Sequence, residues 1–259
     1  MSPALITGGA GFIGANLVRR LEAEGWDVRV FDDLSSTGSA DALEGTGAEL
    51  VVGDVLDTDA LRDAAAGCEV VFHLAAGAGV VASIEDPVGN FRVNAGGVVS
   101  ALWAAQEAGA RRFVFSSSNA PLGPNARPAR EDAPLRPLSP YGASKMAGEG
   151  YAAAFFETYG LETVVVRFSN AYGPYSRHKT NAVPTFIRLI ERGEPIVVYG
   201  DGSQTRDFVF VADLCDGLFA ATVAEAAGET FQLASGVETS VNEVVERLER
   251  LAEGEVRVE

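Results

Sequence analysis

The sequence predicts an α/β protein built on a doubly wound, Rossmann-type parallel sheet, with a smaller C-terminal lobe. Two observations support this fold class. Short apolar runs alternate with helical patterns as far as Phe168, and the alternation weakens from Asn170 onward. Strands that alternate with helices form parallel sheets covered on both faces. The 259 residues suit one large domain with a small appendage, which we divide into residues 1–169 and 170–259.

Six apolar runs are predicted as the strands of this sheet. They are Ala4–Thr7, Val28–Phe31, Leu50–Val52, Val70–Leu74, Phe113–Phe115 and Val164–Phe168. A first helix is expected from Ile13 to near Gly25. The clearest other helical patterns cover Ala60–Ala66, Val93–Ala108 and Ser144–Thr158.

The C-terminal lobe has fewer regular patterns. We expect helices at Pro184–Arg192 and Val241–Ala252, and a strand at Ile196–Tyr199. The proline-rich stretch Pro121–Pro140 is predicted as a long loop beside the site, of the kind that often faces a substrate.

The composition argues against several classes of function. The net charge of -16 opposes binding to nucleic acid and to anionic membranes. Cys68 and Cys215 are too far apart in sequence to suggest a disulfide framework or a zinc site, and two histidines are too few for a multi-histidine metal site. No apolar run is long enough to span a bilayer, and a strand begins almost at the N-terminus. We therefore expect a cytoplasmic protein without metal, nucleic-acid or membrane partners.

Three glycines, Gly8, Gly11 and Gly14, stand between the first predicted strand and the first helix. Such glycines allow a tight turn and a close approach of the backbone, and the helix N-terminus offers N–H groups to a pyrophosphate. The first glycine lies one residue away from its place in the commonest fingerprint. The order of strand, turn and helix nevertheless predicts a dinucleotide site.

Carboxylates follow the second and third strands. Asp32 stands where a carboxylate accepts hydrogen bonds from the adenosine ribose hydroxyls, and it would repel the 2′-phosphate of NADP, so NAD is the predicted cofactor. The alternative for Asp32 and Asp33 is turn chemistry. Asp54 is placed to meet the adenine edge, or alternatively to cap the next helix.

Tyr141 and Lys145 stand four residues apart in Ser-Pro-Tyr-Gly-Ala-Ser-Lys, so a helix brings them to one face. Because a nearby ammonium favours phenolate, we expect the pKa of Tyr141 to fall toward neutral pH. A bound nicotinamide ring would add a second positive charge. The pair could then deprotonate a carbinol while hydride leaves its carbon. The alternative is a chance pair on a surface helix.

Six stretches carry a family resemblance, in the order that the family has them, between Thr7 and Asp213. They are Thr-Gly-Gly-Ala-Gly-Phe-Ile-Gly, Gly-Asp-Val, His-Leu-Ala-Ala, Ser-Ser-Ser, Tyr-Gly-Ala-Ser-Lys and Tyr-Gly-Asp-Gly-Ser-Gln-Thr-Arg-Asp-Phe. The chain resembles the extended short-chain dehydrogenase/reductases, and among them the NAD-dependent nucleotide-sugar epimerases of the UDP-glucose 4-epimerase type.

The resemblance implies a reaction and its catalytic residues. Ser118 hydrogen-bonds the sugar 4-oxygen, Tyr141 takes its proton, and Lys145 holds the nicotinamide ribose. NAD accepts hydride from C4, the 4-keto sugar turns over within the pocket, and hydride returns to the opposite face. Residues 1–169 are then the NAD-binding domain with the catalytic residues, and residues 170–259 are mainly the substrate-binding lobe.

The residues implied to bind NAD lie at the strand ends and in the turns that follow them. They are Gly8, Gly11, Phe12, Ile13, Gly14, Asp32, Asp33, Asp54, Val55, Leu74, Ala75, Ala76, Asn94, Ser116, Tyr141 and Lys145.

The resemblance also implies substrate contacts. Besides Ser118, Asn170 meets the diphosphate or the sugar, Tyr199 meets the uracil and Arg206 grips the diphosphate with its bidentate fork. The alternative for Arg206 is an ion pair with a neighbouring aspartate, Asp201 or Asp207. Arg177 begins the only tight basic cluster, Arg-His-Lys. It falls near the arginine that binds the sugar carboxylate in glucuronate-handling relatives, or it lies on a solvated surface turn.

Departures from the family pattern narrow the reaction. Asn119 and Ala120 follow Ser118, where the dehydratase branch has Asp-Glu and the decarboxylase branch has a glutamate. These absences favour epimerisation. Ala78 replaces a lysine of some epimerases, so one cofactor phosphate contact is expected to be lost. Relatives continue beyond the last helix with a second phosphate-binding arginine, so the chain is expected to be incomplete or its lobe reduced.

The sequence therefore predicts an NAD-dependent 4-epimerase of UDP-glucose/UDP-galactose or UDP-glucuronate. The alternatives are a 4-keto-sugar reductase or another oxidoreductase of nucleotide sugars, and, in another class, a non-catalytic NAD-binding protein. The family also implies a homodimer through two helices of each subunit, here around Val98–Ala108 and Ala143–Thr158, the alternative being that their apolar residues pack only in the core.

Overall fold

A computed structural model describes residues 3–36, 41–124, 128–252 and 256–259. Its centre is a parallel sheet of seven strands in the order β10-β6-β5-β4-β1-β2-β3. The strands of this sheet are β1 (Pro3–Thr7), β2 (Asp27–Asp32), β3 (Glu49–Val52), β4 (Val70–His73), β5 (Arg112–Ser116), β6 (Glu162–Phe168) and β10 (Thr230–Leu233). The Rossmann-type α/β fold predicted from the sequence is confirmed.

Nine α-helices occur in the described residues, together with two small sheets. The helices are α1 (Phe12–Ala23), α2 (Thr58–Ala65), α3 (Val80–Glu85), α4 (Pro87–Phe91), α5 (Gly97–Glu107), α6 (Pro140–Tyr159), α7 (Ala182–Glu191), α8 (Val211–Ala220) and α9 (Val241–Leu251). The π-helical turn Arg92–Gly96 joins α4 to α5. The small sheets pair β7 (Ala171–Tyr172) with β9 (Val209–Phe210), and β8 (Thr205–Asp207) with β11 (Glu238–Ser240). None of the described helices is long and apolar enough to cross a membrane.

Two layers of helices cover the sheet because its strand side chains alternate between the faces. On one face, Ile6 and its equivalents on other strands pack against α1 and α8. On the other face, Leu5 and its equivalents pack against α2, α5 and α6. A third apolar cluster, containing Phe186, Ile196 and Val244, joins α7 to α9 in the C-terminal lobe.

All six predicted strands are present, but the seventh strand was missed. β10 is a four-residue edge strand, paired only with β6 through Val165–Phe168, and its short Thr-Phe-Gln-Leu sequence carries little periodicity. Together with α8, it extends the sheet unit beyond residue 170. The division at residue 169 stays a prediction.

The strand predicted at Ile196–Tyr199 is wrong. Ile196 makes one isolated parallel bridge to Val258 and is buried in the α7–α9 cluster, whereas Val197 and Tyr199 are exposed. Val198 packs against the same cluster, and its N–H donates to the carbonyl oxygen of Glu259. The run therefore makes a short pairing with the C-terminal residues rather than a regular strand. The helices predicted at Pro184–Arg192 and Val241–Ala252 are confirmed as α7 and α9.

Candidate functional site

A cavity of about 570 Å³ opens at the carboxyl ends of the central strands. Its volume lies in the range of cofactor and ligand pockets. Fifteen of the sixteen predicted cofactor residues and two of the five predicted substrate residues line it. They are Gly8, Gly11, Phe12, Ile13, Gly14, Asp32, Asp33, Asp54, Val55, Leu74, Ala75, Ala76, Ser116, Ser118, Tyr141, Lys145 and Asn170.

The glycine turn has no room for side chains at two of its positions. A Cβ added to Gly8, whose φ is +69°, would lie 2.6 Å from the backbone nitrogen of Ala75, and one added to Gly14 would lie 2.4 Å from the carbonyl oxygen of Gly8. Helix α1 begins after Gly11, and no side chain caps it. Its first N–H groups therefore remain available to an anion, as a dinucleotide pyrophosphate requires.

Asp32 both shapes a turn and faces the cavity. Its carboxylate accepts hydrogen bonds from the backbone N–H groups of Ala10 at 3.0 Å and Leu34 at 2.9 Å. Burial raises the pKa of Asp32, while these two hydrogen bonds lower it. The carboxylate keeps further acceptor positions for ribose hydroxyls, so the turn and binding interpretations are compatible.

Asp33 and Asp54 also line this end of the cavity. Asp33 accepts hydrogen bonds from the backbone N–H and the hydroxyl of Ser35. Asp54 accepts one from the backbone N–H of Leu56, whereas Asp57 is the N-cap of α2. The alternative that Asp54 caps this helix is therefore wrong. Three carboxylates give one end of the cavity a negative charge.

The opposite end of the cavity contains Ser118, Tyr141 and Lys145. Tyr141 and Lys145 occupy the first two turns of α6, which begins where the hydroxyl of Ser139 accepts a hydrogen bond from the N–H of Gly142 at 3.1 Å. The Lys145 ammonium donates to the carbonyl oxygen of Ser116 at 2.8 Å. Because Ser116 ends β5, this bond ties α6 to the segment that leads to Ser118.

The pKa values of this end are set by burial. Burial lowers the pKa of Lys145 to about 8, against the opposing charge of Glu149. Burial raises the pKa of Tyr141, and a hydrogen bond with the Ser118 side chain lowers it in part. The expectation that the tyrosine pKa falls toward neutral is therefore wrong for the polypeptide alone, because the loss of water on burial is the largest influence on the phenol.

A buried ionic network packs next to this end of the cavity. Arg167 on β6 donates two hydrogen bonds to Glu149 on α6, at 2.9 and 2.7 Å, and the Ser117 hydroxyl donates to Glu149 at 2.5 Å. The Arg167 and Glu149 side chains are 5% and 7% exposed. The network was not predicted, although Glu149 follows Lys145 by one helical turn, a spacing that places both on one face.

Asn94 is the predicted cofactor residue that does not line the cavity. It is buried, and its side-chain amide accepts from the N–H of Gly77 at 2.7 Å and donates to the Gly77 carbonyl oxygen at 3.1 Å and to Ser144 at 3.3 Å. It therefore holds the turn at Gly77, which itself lines the cavity. A direct contact of Asn94 with the cofactor stays a prediction.

The structure does not bring all predicted substrate residues together. Asn170 lines the cavity, but Arg177, Tyr199 and Arg206 lie outside it. The Arg177 side chain is 77% exposed and pairs with Glu191 at 2.8 Å, as expected of a solvated turn. Tyr199 is 84% exposed. Their contacts with substrate stay predictions that the placement does not support.

Arg206 is exposed on β8 and donates to the carbonyl oxygen of Thr205 at 2.7 Å. The predicted ion-pair alternative is wrong, because Asp207 accepts hydrogen bonds from Ser235 and Gly236, and Asp201 accepts them from Ser203. Its contact with a diphosphate likewise stays a prediction.

Several polar residues of the cavity were missed, among them Lys179 and Asn181. The available signal was the basic cluster Arg-His-Lys, in which only Arg177 was predicted to contact substrate. In the predicted loop Pro121–Pro140, none of the described residues lines the cavity, and residues 125–127 lie outside the described part of the chain.

The site fits NAD on structural grounds. The glycine turn packs too closely for a Cβ at Gly8 and Gly14, as the tight turn before a pyrophosphate requires, and Asp32 stands at the end of β2 and lines the cavity. Gly8, Gly11 and Gly14 would hold the pyrophosphate, Asp32 the adenosine ribose, and Lys145 the nicotinamide ribose.

Comparison with known proteins gives a consistent result. Residues 4–234 match the model of the NAD dependent epimerase/dehydratase family. The chain is similar to the UDP-glucose 4-epimerase of Mycolicibacterium smegmatis, with 39% identity over 93% of this chain and 79% of that protein. It is also similar to the dTDP-glucose 4,6-dehydratase of Streptomyces niveus, with 33% identity over 94% of this chain and 76% of that protein.

Among solved structures, the UDP-glucose 4-epimerase of Thermotoga maritima with UDP-glucose is similar to this chain. The TM-score is 0.92 and the identity 32%, over 99% of this chain and 85% of that chain. The relatives thus include both epimerases and dehydratases of sugar nucleotides.

Replacing Gly14 by alanine tests the dinucleotide turn. The new Cβ would displace the backbone of Gly8 and Gly9, so we expect NAD affinity to fall about tenfold or more, which is about 1.4 kcal/mol. Isothermal titration calorimetry measures this loss. Gly96→Ala is the matched control, because its Cβ would meet only Leu56 at an ordinary 3.5 Å. Equal NAD affinities for the two variants would contradict the assignment.

Replacing Glu149 by glutamine tests the buried network. It leaves the Arg167 guanidinium without its counter-charge, and we expect the free energy of unfolding to fall by about 3 kcal/mol. Urea denaturation measures the change. Glu191→Gln removes the same charge from the exposed pair with Arg177, where a loss below about 1 kcal/mol is expected. Similar losses of unfolding free energy in both variants would show that the buried Glu149 pair contributes no more to stability than the exposed pair.

Proposed function

Because this chain belongs to the NAD dependent epimerase/dehydratase family, with NAD as its cofactor, we propose that it is a nucleotide-sugar 4-epimerase. Its proposed substrates are UDP-glucose and UDP-galactose, with UDP-glucuronate as the next candidate. The observation that carries the proposal is that the side chains of Ser118, Tyr141 and the buried Lys145 line one cavity, at the far end from the carboxylates that suit an adenosine.

Each catalytic residue has one proposed task. Ser118 forms a hydrogen bond with the sugar 4-oxygen. Tyr141 takes the proton of the sugar 4-hydroxyl as general base and later returns a proton as general acid. Lys145, fixed by its bond to Ser116, holds the nicotinamide ribose. When bound, NAD supplies the hydride acceptor and donor and a positive charge on the nicotinamide ring. Since burial raises the pKa of Tyr141, that charge is needed to favour phenolate.

The residues after Ser118 support epimerisation over loss of water from the sugar. The side-chain oxygen of Asn119 accepts a hydrogen bond from Gln232 on β10 at 2.5 Å, and neither Asn119 nor Ala120 lines the cavity. No carboxyl group is available at these two positions for the proton transfers of a dehydratase. Because Arg177 lies outside the cavity, it does not favour UDP-glucuronate. UDP-glucose is therefore the first proposed substrate.

We also infer a homodimer formed by α5 and α6. Trp103, Tyr151 and Tyr159 are exposed by 40%, 47% and 47% on these two helices, and Trp103 contacts Tyr159 edge-on with ring centroids 5.8 Å apart. On the solvent side of α6, small residues flank Tyr151. They are Ala143, Ala147, Gly150 and Ala154. Small side chains let another helix approach closely, while aromatic side chains supply apolar area.

The reaction is tested with purified protein, NAD and a panel of UDP-glucose, UDP-galactose, UDP-glucuronate and UDP-N-acetylglucosamine, with the anomeric protons followed by NMR. We expect a C4 epimer to form without net NADH. Tyr141→Phe should slow this reaction about a hundredfold or more and keep NAD affinity, whereas Tyr159→Phe, on the exposed face of the same helix, should change neither.

Other outcomes of this experiment identify the alternatives. Accumulation of NADH or of a keto sugar would replace the epimerase by a reductase or another oxidoreductase of nucleotide sugars. NAD binding without turnover of any sugar in the panel would favour the non-catalytic alternative.

Light scattering after size exclusion tests the dimer. We expect a dimer at micromolar concentration and a shift to monomer for Tyr151→Glu, because the charge would be buried at the interface. Tyr199→Glu is the control, since Tyr199 is exposed in the other lobe, and it should leave the mass unchanged. A monomeric native chain would refute the proposal.

A further inference from the structure

Among the residues that the structure describes, two lysines line the cavity, Lys145 and Lys179. The carboxylates of the cavity, Asp32, Asp33 and Asp54, come from other segments of the chain. Lys145 has its task, because it donates to Ser116 and stands beside Tyr141. Lys179 takes no part in the chemistry proposed above. In a protein of net charge -16, a lysine that lines a cavity is expected to bind a negatively charged group.

The backbone around Lys179 is fixed by hydrogen bonds within its loop, between β7 and α7. The N–H of Lys179 donates to the carbonyl oxygen of Ser176 at 2.8 Å, and its own carbonyl oxygen accepts from Arg188 on α7 at 2.6 Å. The loop also contacts α1. Asn16 donates to the carbonyl oxygen of Pro174 at 3.1 Å, and the guanidinium of Arg19 stacks on Tyr175.

This anchoring holds the loop against α1, whose N-terminus is the glycine turn for the cofactor pyrophosphate. Lys179 lines the same cavity as that turn, together with Asn170 and Asn181. A cation with amide donors nearby is a common arrangement for binding phosphate oxygens, and lysine binds them as a point charge.

The ammonium of Lys179 has no hydrogen-bond or ion-pair partner among the described residues, although its side chain is half-buried. The other basic groups of the loop differ. Arg177 pairs with Glu191, and Arg188 donates to the hydroxyl of Thr185 and to carbonyl oxygens of the loop. Burial lowers the pKa of Lys179. Removing a cation from water without a partner costs free energy, which a bound anion would offset.

We propose that Lys179 binds a diphosphate group in the cavity. This rests on the proposed function, which places two diphosphates there, one in NAD and one in the nucleotide sugar. Lys179 then has one of two roles. At the substrate diphosphate it takes the role that the resemblance implies for Arg206, and at the cofactor diphosphate it replaces the family lysine whose position is Ala78 here.

The experiment titrates NAD and, separately, UDP into the native protein and into Lys179→Met, by isothermal titration calorimetry. We expect the variant to lose about tenfold in affinity for one of the two ligands, since a charge-assisted hydrogen bond is removed. A loss for NAD assigns Lys179 to the cofactor diphosphate. A loss for UDP assigns it to the substrate diphosphate.

Two control variants separate this contact from general effects of charge. Arg177→Met removes the same charge from the same loop, but from an exposed side chain outside the cavity, and should keep both affinities. Lys179→Arg keeps the charge and should retain most of the affinity. The melting temperature of Lys179→Met should not fall, because the lysine makes no contact with a partner whose loss would destabilise the fold.

Affinities of Lys179→Met within about twofold of the native values for both ligands, or an equal loss in Arg177→Met, would overturn the proposal. If the native protein binds NAD but not UDP, the proposed UDP-sugar function fails, while the NAD titration still decides whether Lys179 binds a diphosphate.

Discussion

The carboxylate of Glu149 and the guanidinium of Arg167 meet inside the protein, where neither charge reaches bulk water. A buried charge that loses its partner is strongly destabilising, so each of these residues restricts where the other can be. Glu149 belongs to the helix that carries Tyr141 and Lys145, and Arg167 belongs to β6. Ser117, bonded to the same carboxylate, lies directly before Ser118. The pair thus fixes the position of α6 against β5 and β6, and with it the position of Tyr141 relative to Ser118.

The distribution of charged side chains along the cavity follows from the strand order. The turns after β2 and β3 contribute carboxylates, and α6 and the loop before α7 contribute the two lysines. A dinucleotide that lies along the cavity would meet acceptors for its adenosine hydroxyls at the carboxylate end and the ammonium of Lys145 at the end that contains Tyr141. Burial works against the charged forms of Tyr141 and Lys145. The positive charge of a bound nicotinamide ring would oppose this effect at Tyr141.

Several features could be predicted because each is contained in a short segment. The glycine turn, Asp32 and the Tyr141–Lys145 spacing depend only on neighbours in sequence, and the six central strands follow from local hydrophobicity. Other features depend on distant residues. Arg177 forms an ion pair with Glu191, and Asn119 accepts a hydrogen bond from Gln232. β10 is a strand because it pairs with the edge of β6. The pKa of Tyr141 depends on burial, which spacing along a helix does not reveal.

The position of β10 has a consequence for synthesis of the chain. β6 is complete at Phe168, but its outer edge is covered only when Thr230–Leu233 pairs with it. Until the ribosome has added the intervening residues, this edge displays unpaired backbone N–H and C=O groups on a strongly apolar strand, a form that invites pairing with other chains. The nascent protein thus passes through a stage at which the exposed edge of β6 is a site for aggregation, and this stage ends only when β10 has been synthesised and has paired with it.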